Sequence, residues 1–340
     1  MNQAQKIILI SVITVALFIA DLLLGSILIP LRDFWELIND KSSNDFLHTI
    51  LFNFRFPRAL TAVAAGMALS VSGLIMQTVF RNPLAGPFVL GISSGASLGV
   101  ALIIIGFQTF GWFSRLAVLS NWTVVTAALL GSGLLLLLLL LVSTRVKDIM
   151  TILILGILFS SSVSALVSIM QYFSPEGALK SYVIWTMGNL GNVTGGQLQI
   201  LWLATGAGVL IALLNGKGLN IMLLGEHYAQ TTGVNIFVFR LFIFLATSLL
   251  AGAVTAFCGP IGFIGIAVPH VVRLVFKSTN HFILIPGTLL AGAAIMLMSD
   301  IVAHLPGSDR ILPINSITAL LGIPIVVWII FRNRHLSQVF

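Results

Sequence analysis

Ten apolar stretches separated by short polar connections constrain this chain more than any other feature. A helix needs roughly 20 apolar residues to cross a hydrocarbon core, within about 17 to 25. By that measure the candidates are residues 7–29, 56–79, 92–106, 122–142, 149–172, 198–214, 236–257, 261–276, 282–303 and 317–331. Only 8% of the 340 residues are charged and 58% are hydrophobic, whereas an average soluble domain is about 25% charged. So few charges cannot clothe a water-soluble globule, and lipid must solvate most of the surface. An all-helical, multi-pass membrane protein is expected. A cytosolic enzyme, a nucleic-acid-binding domain and a disordered chain are excluded.

The third, eighth and tenth stretches are short, with Gly or Pro beside each. Helix breaks at membrane depth are tolerable only where the exposed backbone is buried in protein or lines a wet cavity, so these three are candidates for a pathway. Residues 7–29 read as a first span, because the segment is long and has no small-residue cleavage pattern before Pro30.

The net charge of +7 is scattered in ones and twos, which reads as topology and not as a nucleic-acid footprint. With the N-terminus inside, ten basic residues fall on inner connections: Lys6, Arg81, Arg145, Lys147, Lys217, Arg240, Arg273, Lys277, Arg332 and Arg334. Seven fall outside: Arg32, Lys41, Arg55, Arg58, Arg115, Lys180 and Arg310. Arg32 and Lys41 sit among Asp33, Glu36, Asp40 and Asp45 in a longer connection, which dilutes their weight. Both termini are therefore expected in the cytoplasm. Outer connections fall at about 30–55, 173–197 and 304–316, with a short helix expected around Leu179–Met187. No soluble domain interrupts the pattern, so residues 1–340 read as one transmembrane domain.

Catalytic patterns are missing. Gly216-Lys217-Gly218 has neither the upstream glycine nor the following Ser/Thr of a nucleotide-binding loop. The six histidines form no HExxH, and the single Cys258 excludes an internal disulfide and reads as a small buried apolar residue. No metal or cofactor site of its own is expected. Asp21 and Asp300 are the only acids well inside apolar segments. Each is either an interfacial, hydrated group or an ion relay, so an ion-coupled secondary carrier using Asp300 stays open.

Gly91, Gly95 and Gly99 recur every fourth residue, with Ser93, Ser94 and Ser97 between them. Such a face admits a second backbone closely, and its serines either serve packing or line a polar route. Gly259-Pro260-Ile261-Gly262-Phe263-Ile264-Gly265, followed by Pro269, cannot be an undisturbed helix. Residues 219–233 are too polar to span and too patterned for a plain loop, and predict two short helices around Gly225. On a chain without its own engine these form a docking element for a separate one, or they rest among lipid headgroups.

Four stretches then stand out in order: RNPLAGPFVLGISSGASLG (81–99), GEHYAQTTGVN (225–235), GPIGFIGIAVPHVVRL (259–274) and ILPINSITALLGIPIVVWII (311–330). Together they resemble the FecCD family of bacterial ABC importer permeases, which take up ferric siderophores, haem and vitamin B12. The likeness runs from about residue 50 to the C-terminus. It implies the type II importer permease fold of ten transmembrane helices in the bacterial cytoplasmic membrane. The implied partners are a second permease subunit, identical or paralogous, two cytoplasmic ATPases that bind the ATP-Mg, and an extracytoplasmic substrate-binding protein.

The resemblance places Gly225, Glu226, His227, Ala229, Thr232 and Gly233 in the ATPase-coupling helices. Arg55 and Arg58 match outer arginines that meet acids on the binding protein, unless they merely anchor the second span at the headgroups. Arg310 joins them as a docking candidate. Asn82, Pro83, Gly91, Ser93, Ser94, Gly95, Gly99, Gly259, Pro260, Gly262 and Gly265 are candidates for the pathway or its packing, and segments 81–106, 149–187 and 304–325 are the candidate pathway segments. The chain departs from the family pattern at Gly86, where relatives commonly carry Asp, and at Ile311 and Asn315, where they carry an acid and a glycine. His304 stands where some relatives have arginine. The expected function is ATP-driven import of an iron–siderophore, haem or cobalamin by alternating access, with no enzymatic activity in this subunit.

Overall fold

The computed structural model describes residues 2–39, 45–106, 121–146, 148–304 and 310–332. Asp40, Lys41, Arg115, Lys147 and Arg334, and residues 305–309 of the third outer connection, lie outside the described residues.

Among the described residues all regular structure is helical. Seven helices are long and apolar enough to cross a membrane: α1 (Gln3–Leu23), α3 (Asp45–Val79), α5 (Asn121–Ser143), α6 (Ile149–Tyr172), α8 (Gly195–Leu214), α11 (Ile236–Cys258) and α13 (His281–Ala303). Three shorter apolar helices complete the ten expected segments: α4 (Ile92–Gly106), α12 (Ile264–Phe276) and α14 (Ile314–Arg332). Four further short helices sit at the ends of the bundle: α2 (Leu31–Ile38), α7 (Glu176–Thr186), α9 (Gly216–Met222) and α10 (Glu226–Thr231). The helix expected around Leu179–Met187 is α7, and the pair expected around Gly225 is α9 and α10.

Helix α3 is the centre of the bundle. The second apolar stretch was expected to begin at residue 56, but the helix starts at Asp45 and passes through a wide turn at Ile50–Arg55. Its stretch from Ala59 to Gly73 is rich in Ala, Gly and Ser, all of them buried. Small side chains let backbones touch where lipid supplies no hydrophobic drive between helices. A Cβ on Gly66 would lie 2.3 Å from the Gly292 carbonyl oxygen of α13, and one on Gly73 only 1.7 Å from that of Gly265 in α12. The Ser70 hydroxyl donates to the Thr288 carbonyl of α13 at 3.0 Å, joining the same pair.

The glycine repeat at 91–99 has two jobs. Gly91 turns the chain with φ +76° from the short 3₁₀ turn Pro87–Leu90 into α4, a conformation that costs glycine nothing. Gly95 and Gly99 seat α4 on α5, where added Cβ atoms would come within 2.4 and 2.0 Å of the Gly131 and Ala127 carbonyl oxygens. By contrast the outward face of α6 carries Ile154, Leu158, Leu166 and Ile169 in the open, with Ser161, Ser162 and Ser168 among them.

Both ends of α1 are held. Asn2 and Gln5 cap its start reciprocally. Gln3 and Lys6 donate to the Phe276 and Val275 carbonyls at the end of α12, at 2.9 and 2.8 Å. The start of the chain therefore lies at the same end of the bundle as α9, α10 and the start of α13.

Candidate functional site

At that end, α9 and α10 form an angle around Gly225, whose φ of +111° favours glycine. Helix α9 packs inward because two glycines make room: Cβ atoms on Gly216 and Gly218 would meet the rings of Phe282 and Phe239 at 3.0 and 2.8 Å. Helix α10 divides into two faces. Ala229 is fully buried, and Glu226 reaches back to α11, where Arg240 Nη2 donates to both its carboxylate oxygens at 2.8 and 3.0 Å. Leu224, His227, Tyr228, Gln230, Thr231, Thr232 and Gly233 face outward. An exposed Leu and Tyr on a tethered helix, ringed by polar side chains, is the composition of a contact surface.

A cavity of about 380 Å³ opens beside this element, lined by Val79, Arg81, Ile149, Met150, Met222, Glu226 and His227. Asp148 begins α6 at its edge. The hydroxyl and backbone N–H of Thr151 donate to it at 2.6 and 2.8 Å, which holds this exposed carboxyl below the usual carboxylate range. The following stretch turns at Asn82, whose side-chain oxygen accepts from the Leu84 N–H at 2.9 Å. The Pro83 carbonyl accepts from His270 Nε2 of α12 at 2.7 Å. Asn82 thus shapes the turn after α3, and Pro83 braces it against α12.

The break at 259–263 lies toward the opposite end. Gly259 has φ +78°, and a Cβ there would lie 2.5 Å from the Trp185 carbonyl oxygen of α7. Three bonds stitch the broken backbone: Asn189 N–H to the Cys258 carbonyl at 2.8 Å, Gly262 N–H to Asn315 Oδ1 at 2.9 Å, and Asn315 N–H to the Met187 carbonyl at 3.2 Å. Irregular backbone inside a membrane protein needs such partners. Asn315 takes part in two of these bonds, one through its side chain and one through its backbone N–H. Gly86 is buried, and a Cβ there would press on Ile266 at 3.2 Å. A cavity of about 360 Å³ adjoins the break, with Asn121, Asn189, Asn192, Gln197, Asp300 and His304 among its walls.

Beside it the two intramembrane acids meet. Arg58 Nε donates to Asp300 Oδ2 at 2.8 Å, and its Nη2 lies 4.0 Å from Asp21 Oδ1. His304 Nδ1 is 3.2 Å from Asp300 Oδ1. Arg55 is 5% exposed and donates to the carbonyls of Leu22, Leu23 and Ile27. It caps the end of α1, where the last carbonyls have no intrahelical partner, and Gly25 leaves room for its guanidinium. Arg55 and Arg58, expected at the rim either facing a partner or anchoring the span at the headgroups, both have partners inside the chain, because α1 and α13 end beside α3 with carbonyls and a carboxylate that need a cation. Arg310 is exposed, in the strand of chain leading into α14.

Comparison with known proteins identifies this architecture. The profile of the FecCD transport family matches residues 13–332. The chain belongs to that family. The hemin transport system permease protein HmuU of Yersinia pestis is 35% identical over 332 residues, 95% of this chain and 94% of that one. The vitamin B12 import system permease protein BtuC of Klebsiella pneumoniae is 35% identical over 285 residues, 84% of this chain and 83% of that one. A solved structure described as an inward-facing conformation of an ABC transporter assigned to the metal-chelate type superposes with a TM-score of 0.84 at 30% identity, covering 97% of this chain and 99% of that one. This FecCD chain is thus a multi-pass transport permease subunit, not an enzyme.

Within the FecCD chain the residues singled out from sequence fall into three groups. Gly225, Glu226 and Ala229 shape and tether the element at 216–233, while His227, Thr232 and Gly233 lie on its surface. Gly91, Gly95, Gly99 and Gly265 are close-approach positions, and Gly259 and Gly262, with Pro260 between them, form the stitched break. Ser93 and Ser94 are half-buried on α4. Sequence reasoning missed Arg240, Asn220 and His281. Arg240 carries a signal, since it is a lone cation inside an apolar helix.

Proposed function

We propose that this chain is the permease subunit of a binding-protein-dependent ABC importer for a large metal chelate of the haem, cobalamin or ferric-siderophore class. It works in the bacterial cytoplasmic membrane with both termini inside. The observation that carries this reading is the surface-exposed, internally tethered α9–α10 element on a ten-segment FecCD bundle whose sequence has no nucleotide-binding loop. An engine must therefore be supplied from outside, and this element is where two cytoplasmic ATPases, which hold the ATP-Mg, would engage the permease pair.

ATP-driven closure of the ATPases would move α9–α10 and reorient the helices around a central path, giving alternating access. The serines on the open face of α6 favour a path or a second permease subunit there over lipid alone, since hydroxyls gain little in hydrocarbon. Their hydrogens go to their own helix, as from Ser161 to Ile157 O at 3.0 Å and Ser168 to Ser164 O at 2.9 Å, which leaves oxygen lone pairs facing outward. The binding protein would dock at the far end, near exposed Arg310. Rim contacts of that kind govern encounter rate and orientation more than affinity.

The ion-coupled alternative is disfavoured by Asp300, which is committed to Arg58 at 2.8 Å. The test is uptake of labelled haem, cobalamin and ferric catecholate and hydroxamate chelates by cells with and without the gene. Loss of one uptake, and its dependence on a partner ATPase under conditions where an uncoupler has no effect, is the expected result. Uptake abolished by the uncoupler yet indifferent to ATPase loss would overturn it.

A further inference from the structure

Resting on the reading above, we infer that Asn220 of α9 is a positioning residue that carries displacement of the coupling element into the α3–α13 pair and so to the far end of the bundle. Asn220 Oδ1 accepts from the His281 backbone N–H at 2.8 Å, and lies 2.7 Å from His281 Nδ1. An amide oxygen only accepts, so Nδ1 carries a hydrogen. Asn220 Nδ2 donates to Asn280 Oδ1 at 3.0 Å. One side chain thus holds the first turn of α13 by three bonds. The other nitrogen of His281, Nε2, is 2.8 Å from the Thr78 hydroxyl at the end of α3. His281 is 1% and Thr78 0% exposed, so water offers no substitute partners.

The link matters because of what lies beyond it. Helices α3 and α13 touch backbone to backbone at Gly66 and Gly292, and close-packed interiors transmit a shift instead of absorbing it. At the other end of the same two helices Arg58 and Asp300 are joined at 2.8 Å, at the wall of the cavity beside the break. A helix of 23 residues is about 34 Å long. Movement of α9 therefore has a continuous polar and then steric route across the thickness of a membrane. Glu226 and Arg240 tie α10 to α11, a different helix, so the two short helices report to different parts of the bundle.

The experiment uses the full chain assembled with its ATPase in lipid, with spin labels on cysteines introduced at Thr231 and Ile311, one toward each end of the bundle. The native Cys258 is buried. Distances are measured by pulsed dipolar spectroscopy without nucleotide and with ATP trapped by vanadate. Wild type is expected to show a nucleotide-driven shift. Asn220→Ala is expected to lose it while still co-purifying with the ATPase. Asn220→Asp, which retains the acceptor for His281, is expected to restore it. A shift in Asn220→Ala equal to wild type overturns the inference alone. Absence of ATPase association or of any shift in wild type overturns the inference together with the importer reading. Failure of Asn220→Asp to restore the shift when Asn220→Ala has lost it also overturns the role assigned to the His281 bonds.

Discussion

Arg58 shows how one residue's place can be legible in sequence while its partners within the chain are not. Its position near the outer end of the second span was legible from hydropathy. Its partners were not, because Asp21 and Asp300 lie far from it in the chain and no local pattern joins them. Removing one member of a buried pair strands the other, at roughly 3–5 kcal/mol. Arg58→Ala should therefore lower the melting temperature in detergent sharply, and a concurrent Asp300→Asn change should recover part of the loss. Asp300→Asn alone keeps the shape and an acceptor for Arg58. Transport measured with that variant should stay within a few-fold of wild type, whereas a proton relay would lose its titrating group and stop. Arg55 makes the same point about caps: the three carbonyls it serves at the end of α1 exist only after helix and loop have formed.

At the scale of elements the ten apolar stretches and the two short helices around Gly225 follow from hydropathy length and glycine spacing, and the structure places most of them within a few residues, although α1 ends at Leu23, short of the expected 29. The start of α3 did not follow, since these residues fall in the outer connection expected at about 30–55, and the turn at Ile50–Arg55 lets the helix continue from Asp45 into the span. Which glycines are contact points was also hidden, because spacing cannot name the facing helix. The distances now separate them. Gly73→Ala would push a methyl into the Gly265 carbonyl, backbone against backbone, and should abolish accumulation of monodisperse protein. Gly133→Ala on α5, with open space around its Cα, should be silent in the same expression and gel-filtration assay. On α10 the two faces predict different failures. Arg240→Ala frees Glu226 and loosens the element from α11, which should reduce stimulated ATP hydrolysis together with thermal stability. Tyr228→Ala alters only the outward face, and should weaken ATPase association while leaving the melting temperature within about 0.5 kcal/mol of wild type in stability.

For the whole molecule, polar anchors gather at the two ends and tight small-residue packing lies between them. One end holds α9, α10, the Asn220–His281 link and the start of α1 at Phe276. The other holds Arg58, Asp300, the stitched break and Arg310. Basic side chains decide which end faces the cytoplasm, because Lys and Arg on short connections are retained inside. Arg81, Arg145, Lys217 and Lys277 lie exposed at the first end, while at the second Arg55 and Arg58 are spent on internal partners and contribute little free charge. Arg32, Lys180 and Arg310 stay exposed at the second end, and Lys6, Arg240 and Arg273 at the first are also engaged, so the expected orientation still rests on the tally over short connections. That orientation predicts the result of cysteine accessibility in cells, where buried Cys258 gives a low background. A cysteine at exposed Ile311 should react with a membrane-impermeant maleimide added to intact spheroplasts. A cysteine at exposed Thr231 should react only in inverted vesicles or after permeabilisation. The reverse pattern would put α9 and α10 out of reach of any cytoplasmic ATPase, and with that the coupling assigned to Glu226, Asn220 and His281 would have no engine to serve.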